Sequence, residues 1–128
     1  MSEPIVFISH FKVKEGELNN LMRHNQKVTE QIEANKPGTV AFLQYINEQG
    51  TELSIIHVFP DADSFDQHIT GVDERVKAAL EFIEPTRREI YGMPSGQVLT
   101  MLRPPHESGI AFQIMPQPIG GYIRFKQG

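Results

Sequence analysis

Three histidines, a tyrosine and an asparagine are the residues of this chain best placed to do chemistry. His68 shares a helical face with Phe65 and Ile69 by the i, i+3, i+4 rule, so its imidazole should turn toward a core or a cavity. With an ordinary pKa of about 6.5, such a ring can take a phenolic proton. His10 and His57 each sit among apolar neighbours in a strand pattern and could line a cavity on the face they occupy. Parity does not say whether they share a side, and the competing reading for each is a satisfied core or interface histidine. Tyr45 lies on the face of Leu43, where its hydroxyl could bond a substrate oxygen or reach solvent, and Gln44 and Asn47 are polar contacts of the same kind. Asn25 interrupts an apolar helical stripe, so it either faces a cavity or marks where the helix leaves the core. Arg103 ends the last strand read from the sequence and could hold an anionic oxygen, against the plainer reading of an exposed side chain before Pro104-Pro105.

Other chemistries are disfavoured by residue type or spacing. Three histidines on separate elements could converge on a metal. No HxH or HExxH spacing supports one, so no metal is expected. The chain has no cysteine, which removes disulfides and thiolate sites. MPSGQ at 93–97 lacks phosphate-loop spacing, so no nucleotide cofactor is expected. Glu84 to Glu89 mixes adjacent charges of both signs and reads as a rim or interface network, while His24 and His106 read as solvent-facing.

The elements that must position these residues follow from periodicity. Pro4 to Val13 alternates as a strand with Ile5, Phe7, Ser9 and Phe11 on one face and Val6, Ile8 and His10 on the other. A helix runs from about Glu17 to Ala34 on the stripe Leu18, Leu21, Met22, Val28 and Ile32, and Pro37-Gly38 ends it. Thr39 to Asn47 and Glu52 to Phe59 form a hairpin turning at Gly50. Pro60 stops the second strand, Asp61 or Asp63 caps the next helix, and Thr70-Gly71 breaks it. A longer helix carries Val72, Val76, Ala79, Leu80 and Ile83, is interrupted by Pro85, and continues a turn or two through Ile90. Gln97 to Leu102 reads as a fourth strand. The order β-α-β-β-α-β predicts an α+β, ferredoxin-like split βαβ domain over residues 1–103. Residues 104–128 form an extension whose runs IAFQIM and GGYIRF suggest an extra hairpin or a dimer arm.

Composition bounds the rest. At 128 residues the chain is one domain able to bury a core without staples. Its net charge of −4 argues against nucleic acid, which needs a concentrated positive surface. No apolar run approaches a membrane helix and the first residues do not read as a signal peptide, so a cytoplasmic protein without membrane partners is expected.

The run IVFISHFKVKEG into a helix beginning ELNNLM, followed by ELSIIHVFPDADSFDQHI with Phe65 and His68 three apart, resembles the antibiotic-biosynthesis monooxygenase family of the dimeric α+β barrel superfamily. The resemblance covers about residues 4–102. It implies a homodimer whose sheets face each other as a barrel, with a pocket between each sheet and its helices. It also implies, as in some relatives, cofactor-independent oxygenation of quinols or phenols.

Two functions follow. One is a base-assisted, cofactor-independent oxygenase acting on a small aromatic or quinone-like compound. In it His68 is the base, His57 or Tyr45 orients the oxygen, and His10, Asn25, Phe65 and Arg103 contact the substrate. The other is a non-catalytic dimeric barrel that binds a small apolar ligand or serves a structural role. Convergence of His68, His57 and Tyr45 on one cavity favours the enzyme; scattered or backbone-bonded side chains favour the binder. Strands apolar on both faces predict a homodimer, because the helices can cover only one side.

Overall fold

The computed structural model describes residues 3–124, residues 72 and 73 by their backbone alone. Its elements run β1 (Ile5–Val13), α1 (Leu18–Asn35), β2 (Ala41–Ile46), β3 (Glu52–Phe59), α2 (Ala62–Ile69), α3 (Val72–Ala79), β4 (Ile83–Tyr91), α4 (Gly96–Leu102), a 3-10 turn at His106–Ser108 and β5 (Ala111–Met115). The strands form one sheet in the order β2-β3-β1-β4-β5. Its first four strands are antiparallel neighbours with the split βαβ connectivity, and β5 adds in parallel beside β4.

The α+β class and the ferredoxin-like order are as expected, but the fourth strand is elsewhere. Residues 83–90 are strand rather than helix, and 97–102 are helix rather than strand. The reason for the first is a bulge. Phe11 pairs with Pro85 and His10 with Arg87, so Thr86 is the extra residue and resets the alternation. Inward positions are then Ile83 and Pro85 before the bulge and Arg88 and Ile90 after it, which no period of 2 can reveal. A proline is tolerated there because it lies at the bulge and outside the pairing with β5. The reason for the second is a cap. The Ser95 side chain accepts from the Val98 N–H at 3.2 Å, starting a helix in a short apolar run whose periodicity is ambiguous.

The tail differs as well. Among the described residues only the first of its two apolar runs is strand, and it extends the chain's own sheet instead of forming a hairpin. Gly120 to Arg124 carries no strand, and Phe125 and Lys126 lie outside the described residues.

All four helices lie on one face of the sheet. Ile5, Phe7, Phe59 and Ile90 pack against Phe65 and Ile69 of α2 and Val98 and Leu102 of α4. Beside them Val13, Leu53 and Ile83 pack against Leu21 of α1, with Ala79 of α3 at the margin. Each fully buried side chain of this kind contributes about 1.5–3 kcal/mol. Two glycines fix the strand ends. Gly50 turns the β2–β3 hairpin at φ +71°. Gly92, at φ +110°, leaves β4 so close to β1 that a Cβ would sit 3.0 Å from the Pro4 carbonyl oxygen. Among the described residues no helix lies on the opposite face. On it Leu43 and Tyr45 are exposed, and Val6, Ile8, Ile56 and Val58 are half-buried. No described helix is long and apolar enough to cross a membrane.

Candidate active site

Strand register puts two rows of side chains on the helix-covered face. Gln44, Ile55, Ser9 and Arg88 form one row across β2, β3, β1 and β4; Phe42, His57, Phe7 and Ile90 form the next. Between this floor and a roof of Asn25, Val28 and Ile32 from α1, His68 and Ile69 from α2 and Arg75 and Val76 from α3 lies a cavity of about 150 Å³. A cavity of that order accepts a single six-membered ring.

Two imidazoles share it. The ring centroids of His57 and His68 lie 5.0 Å apart, edge to face. Aromatic neighbours hold both: Phe7 stacks on His57 at 4.9 Å, and Phe59 meets His68 at 5.2 Å. The His57 Nδ1–H donates to the Phe7 carbonyl at 3.0 Å, which fixes its tautomer and leaves Nε2 as a bare acceptor. His68 Nδ1 bonds the Thr39 hydroxyl at 2.7 Å. Among the described residues neither Nε2 has a hydrogen-bond partner, and both rings line the cavity. Burial, partly offset by the Phe7 carbonyl and reinforced by the nearby Arg75 charge, pushes His57 down to about 4. Burial, then the charges of His57, Arg75 and Lys36, pushes His68 down to about 3. Both rings are therefore neutral at pH 7.

The charged groups of the lining are two arginines. Arg75 Nη2 donates to the His68 carbonyl at 2.6 Å, and Arg88 Nη1 donates to the Leu102 carbonyl at 2.8 Å. Burial lowers both guanidinium pKa values, but an arginine starts so high that it stays charged. Among the described residues no aspartate or glutamate lines the cavity. A polar chain closes the α1 side: the Asn25 amide donates to Gln44 Oε1, and the Gln44 amide donates to the Thr29 hydroxyl, each at 2.7 Å. This explains the polar break in the α1 stripe, since Asn25 faces the cavity.

The candidates read from the sequence divide between the two faces. His57, His68 and Asn25 come together in the cavity. Phe65 lies in the core beneath, stacked on Phe59 at 4.5 Å. Tyr45 is on the open face, 58% exposed, because its parity is that of Leu43 and opposite to Phe42. His10 is also on the open face, bonded to Ser54 at 2.8 Å and to Glu89, so the three strand and helix histidines do not converge. Arg103 lies outside the cavity, over the Phe112 ring at 5.1 Å. His24 is not solvent-facing; it tilts against Phe82 with its Nε2 buried and unpaired. Sequence reasoning missed Arg75, Arg88, Ser9 and Thr39. Ser9 was on the right face of the first strand, and Arg88 was hidden by the bulge.

No family model matches the chain, and no curated protein matches its sequence. Solved structures do. A chain described as MupZ from Pseudomonas fluorescens superposes with a TM-score of 0.68 at 19% identity, covering 94% of this chain and 96% of that one. SnoaB from Streptomyces nogalater, described as a cofactor-independent oxygenase, gives 0.60 at 16% identity over 73% of this chain and 96% of its own. A Caulobacter crescentus CB15 chain assigned to the antibiotic biosynthesis monooxygenases gives 0.62 at 13% identity over 70% and 88%. At these identities the likeness lies in the fold, an α+β ferredoxin-like architecture that this chain shares with them along most of its length.

Proposed function

We propose that the protein is a cofactor-independent oxygenase acting on a one-ring hydroxylated aromatic compound, with the cavity beneath α1 and α2 as its site. The observation that carries this reading is the pair of neutral imidazoles, both with an open Nε2, in a mostly apolar cavity of about 150 Å³. The fold shared with SnoaB, whose description is a cofactor-independent oxygenase, supports the reaction class.

The residues suggest their roles. A phenol bound in the cavity meets an acceptor at His57 Nε2, whose Nδ1–H is already held by the Phe7 carbonyl. That carbonyl also stabilises the imidazolium formed when the ring takes the phenolic proton. His57 is the better base of the two because its tautomer is fixed and its pKa is the less depressed. His68, oriented by Thr39, shares the proton or positions the oxygen. The Arg75 charge favours the phenolate. The phenolate passes one electron to dioxygen, and the radical pair combines at a ring carbon to give a hydroperoxide. That carbon loses its hydrogen as a proton and the O–O bond breaks. One oxygen stays as a quinone carbonyl and the other leaves as water, so a phenol plus dioxygen gives a quinone plus water. Oxygen uptake by the pure protein, measured on a panel of phenols, hydroquinones and anthrones, tests the reading. One-ring compounds should be consumed and His57→Gln should lower the rate by about 10²-fold or more; no uptake above buffer contradicts it.

A second reading, a binder without turnover, is favoured by one observation: the His57 bond to a backbone carbonyl is also what a satisfied core histidine makes. Ligand binding without oxygen uptake would select it.

The half-buried apolar side chains of the helix-free sheet face further support a homodimer joined through that face. Sedimentation equilibrium at low micromolar concentration should give twice the chain mass of 14.5 kDa; a folded species of the single mass contradicts it.

A further inference from the structure

We propose that the cavity takes an aromatic carboxylic acid, its carboxylate gripped by Arg88 and the Ser9 hydroxyl and its ring lying toward the two histidines. This rests on the same cavity being the functional site and names a feature of its ligand that the reaction class leaves open.

The argument begins with charge. Among the described residues two guanidiniums line the cavity and no carboxylate does. Among the described residues, the hydrogen bonds of Arg75 and Arg88 go to backbone carbonyls, and neither arginine forms an ion pair. A half-buried cation without a counter-ion is costly, by several kcal/mol per ion when burial is deep. The Leu102 carbonyl, at the C-terminal end of α4, offsets only part of the Arg88 charge. A ligand anion would supply the rest.

Geometry then selects the kind of anion. Arg88 spends one Nη1–H on Leu102, leaving the rest of its five-donor fork for a flat, two-oxygen partner. Ser9 is its register partner across β1–β4. Ser9 is 7% exposed and lines the cavity, and its hydroxyl has no hydrogen-bond partner among the described residues. It can add a third donor. The floor between this end and the histidines is Phe7 and Ile55, and the polar Asn25–Gln44 pair is confined to the α1 side.

The two ends are also spaced for a single ring. Arg88 and His57 are separated by β1 and by two residues along the strands, which puts their backbones roughly 12 Å apart. Long side chains reaching inward from both ends leave room for one ring between them. An acid anchored at Arg88 therefore presents the far edge of its ring to the imidazoles. A hydroxyl para to the carboxylate would meet His57 Nε2.

Titration calorimetry at pH 7 with 4-hydroxybenzoate, 4-hydroxybenzamide and phenol tests this. The acid should bind at least tenfold tighter than the amide. Arg88→Gln should erase that preference while leaving phenol binding within about twofold, and Arg88→Lys, which keeps the charge without the fork, should retain part of it. If Arg88→Gln does not fold, Ser9→Ala provides the second arm and should weaken the acid severalfold more than the amide. Equal binding of acid and amide, a preference that survives Arg88→Gln, a Ser9→Ala variant that keeps the parent's full preference, or no binding of the acid at millimolar concentration overturns the proposal. Oxygen uptake followed in parallel separates it from the oxygenase reading. Tight acid binding without uptake keeps the carboxylate site and removes the oxygenase. Uptake with no acid preference does the reverse.

Discussion

The two faces of one sheet carry nearly the same residue types and do opposite things with them. On the covered face His57 and His68 are packed by phenyl rings, lose their solvation and stay neutral. On the helix-free face His10 is half-exposed and bonded to Ser54 and to Glu89, which also accepts from the Tyr91 hydroxyl at 2.8 Å. Histidine itself does not distinguish a site. The setting does: on one side an apolar cavity holds an open Nε2, and on the other a neighbouring carboxylate occupies the ring.

The largest effect separating the faces should be on stability. Phe65→Ala removes a fully buried ring and should cost about 3–5 kcal/mol in urea unfolding. Tyr45→Ala on the open face, measured in a chain kept monomeric by Leu43→Glu, should stay within about 0.5 kcal/mol. A comparable loss in both variants would mean that the open face is as deeply packed as the covered one.

Acid should sharpen the contrast. His57 and His68 have folded pKa values of about 4 and about 3, below the ordinary 6.5, so the unfolded chain binds more protons as pH falls below that value. Stability is then full at neutral pH and falls as pH drops from 6.5 toward 4, by about 1.4 kcal/mol per pH unit for each histidine. His57→Gln should roughly halve that slope. Glu89 acts in a lower window. The hydrogen bond from His10, then that from Tyr91, lowers its pKa against some opposing burial. Its contribution is present above the ordinary carboxylate range and is lost only as pH falls through its folded value. Unfolding midpoints between pH 7 and 5 that do not move would break this account of the histidine pair.

The smallest effect on the single chain, and the sharpest on assembly, should come from Leu43→Glu. Leu43 is 46% exposed on the open face, so a charge there costs the chain little. In a dimer joined through that face the same charge is buried and unpaired. The variant should sediment as a folded monomer; a dimer as tight as the parent would place the contact elsewhere.

How far the sequence revealed these faces depended on the regularity of each strand. β1, β2 and β3 alternate without interruption, so the opposition of Phe7 to His10 and of Phe42 to Tyr45 was already present in the parity. What parity lacked was which face the helices cover, and that decided the fate of Tyr45 and His10. β4 was illegible because Pro85 and the bulge at Thr86 break the alternation, and its charged run reads as surface. Arg88 and the cavity's charge went unseen with it. Ser95, three residues before Val98, was the available signal that the run after it is a helix.

The division between faces can be measured in one experiment, long-range ¹H–¹⁵N spectra of the imidazoles from pH 8 to 5, with and without 4-hydroxybenzoate. The account predicts that His57 and His68 keep neutral-ring shifts down to pH 5, that His57 shows Nδ1 protonated, and that the ligand moves both signals while leaving His10 in place. Titration of either ring near 6.5, or a ligand response at His10 in place of the pair, would contradict it.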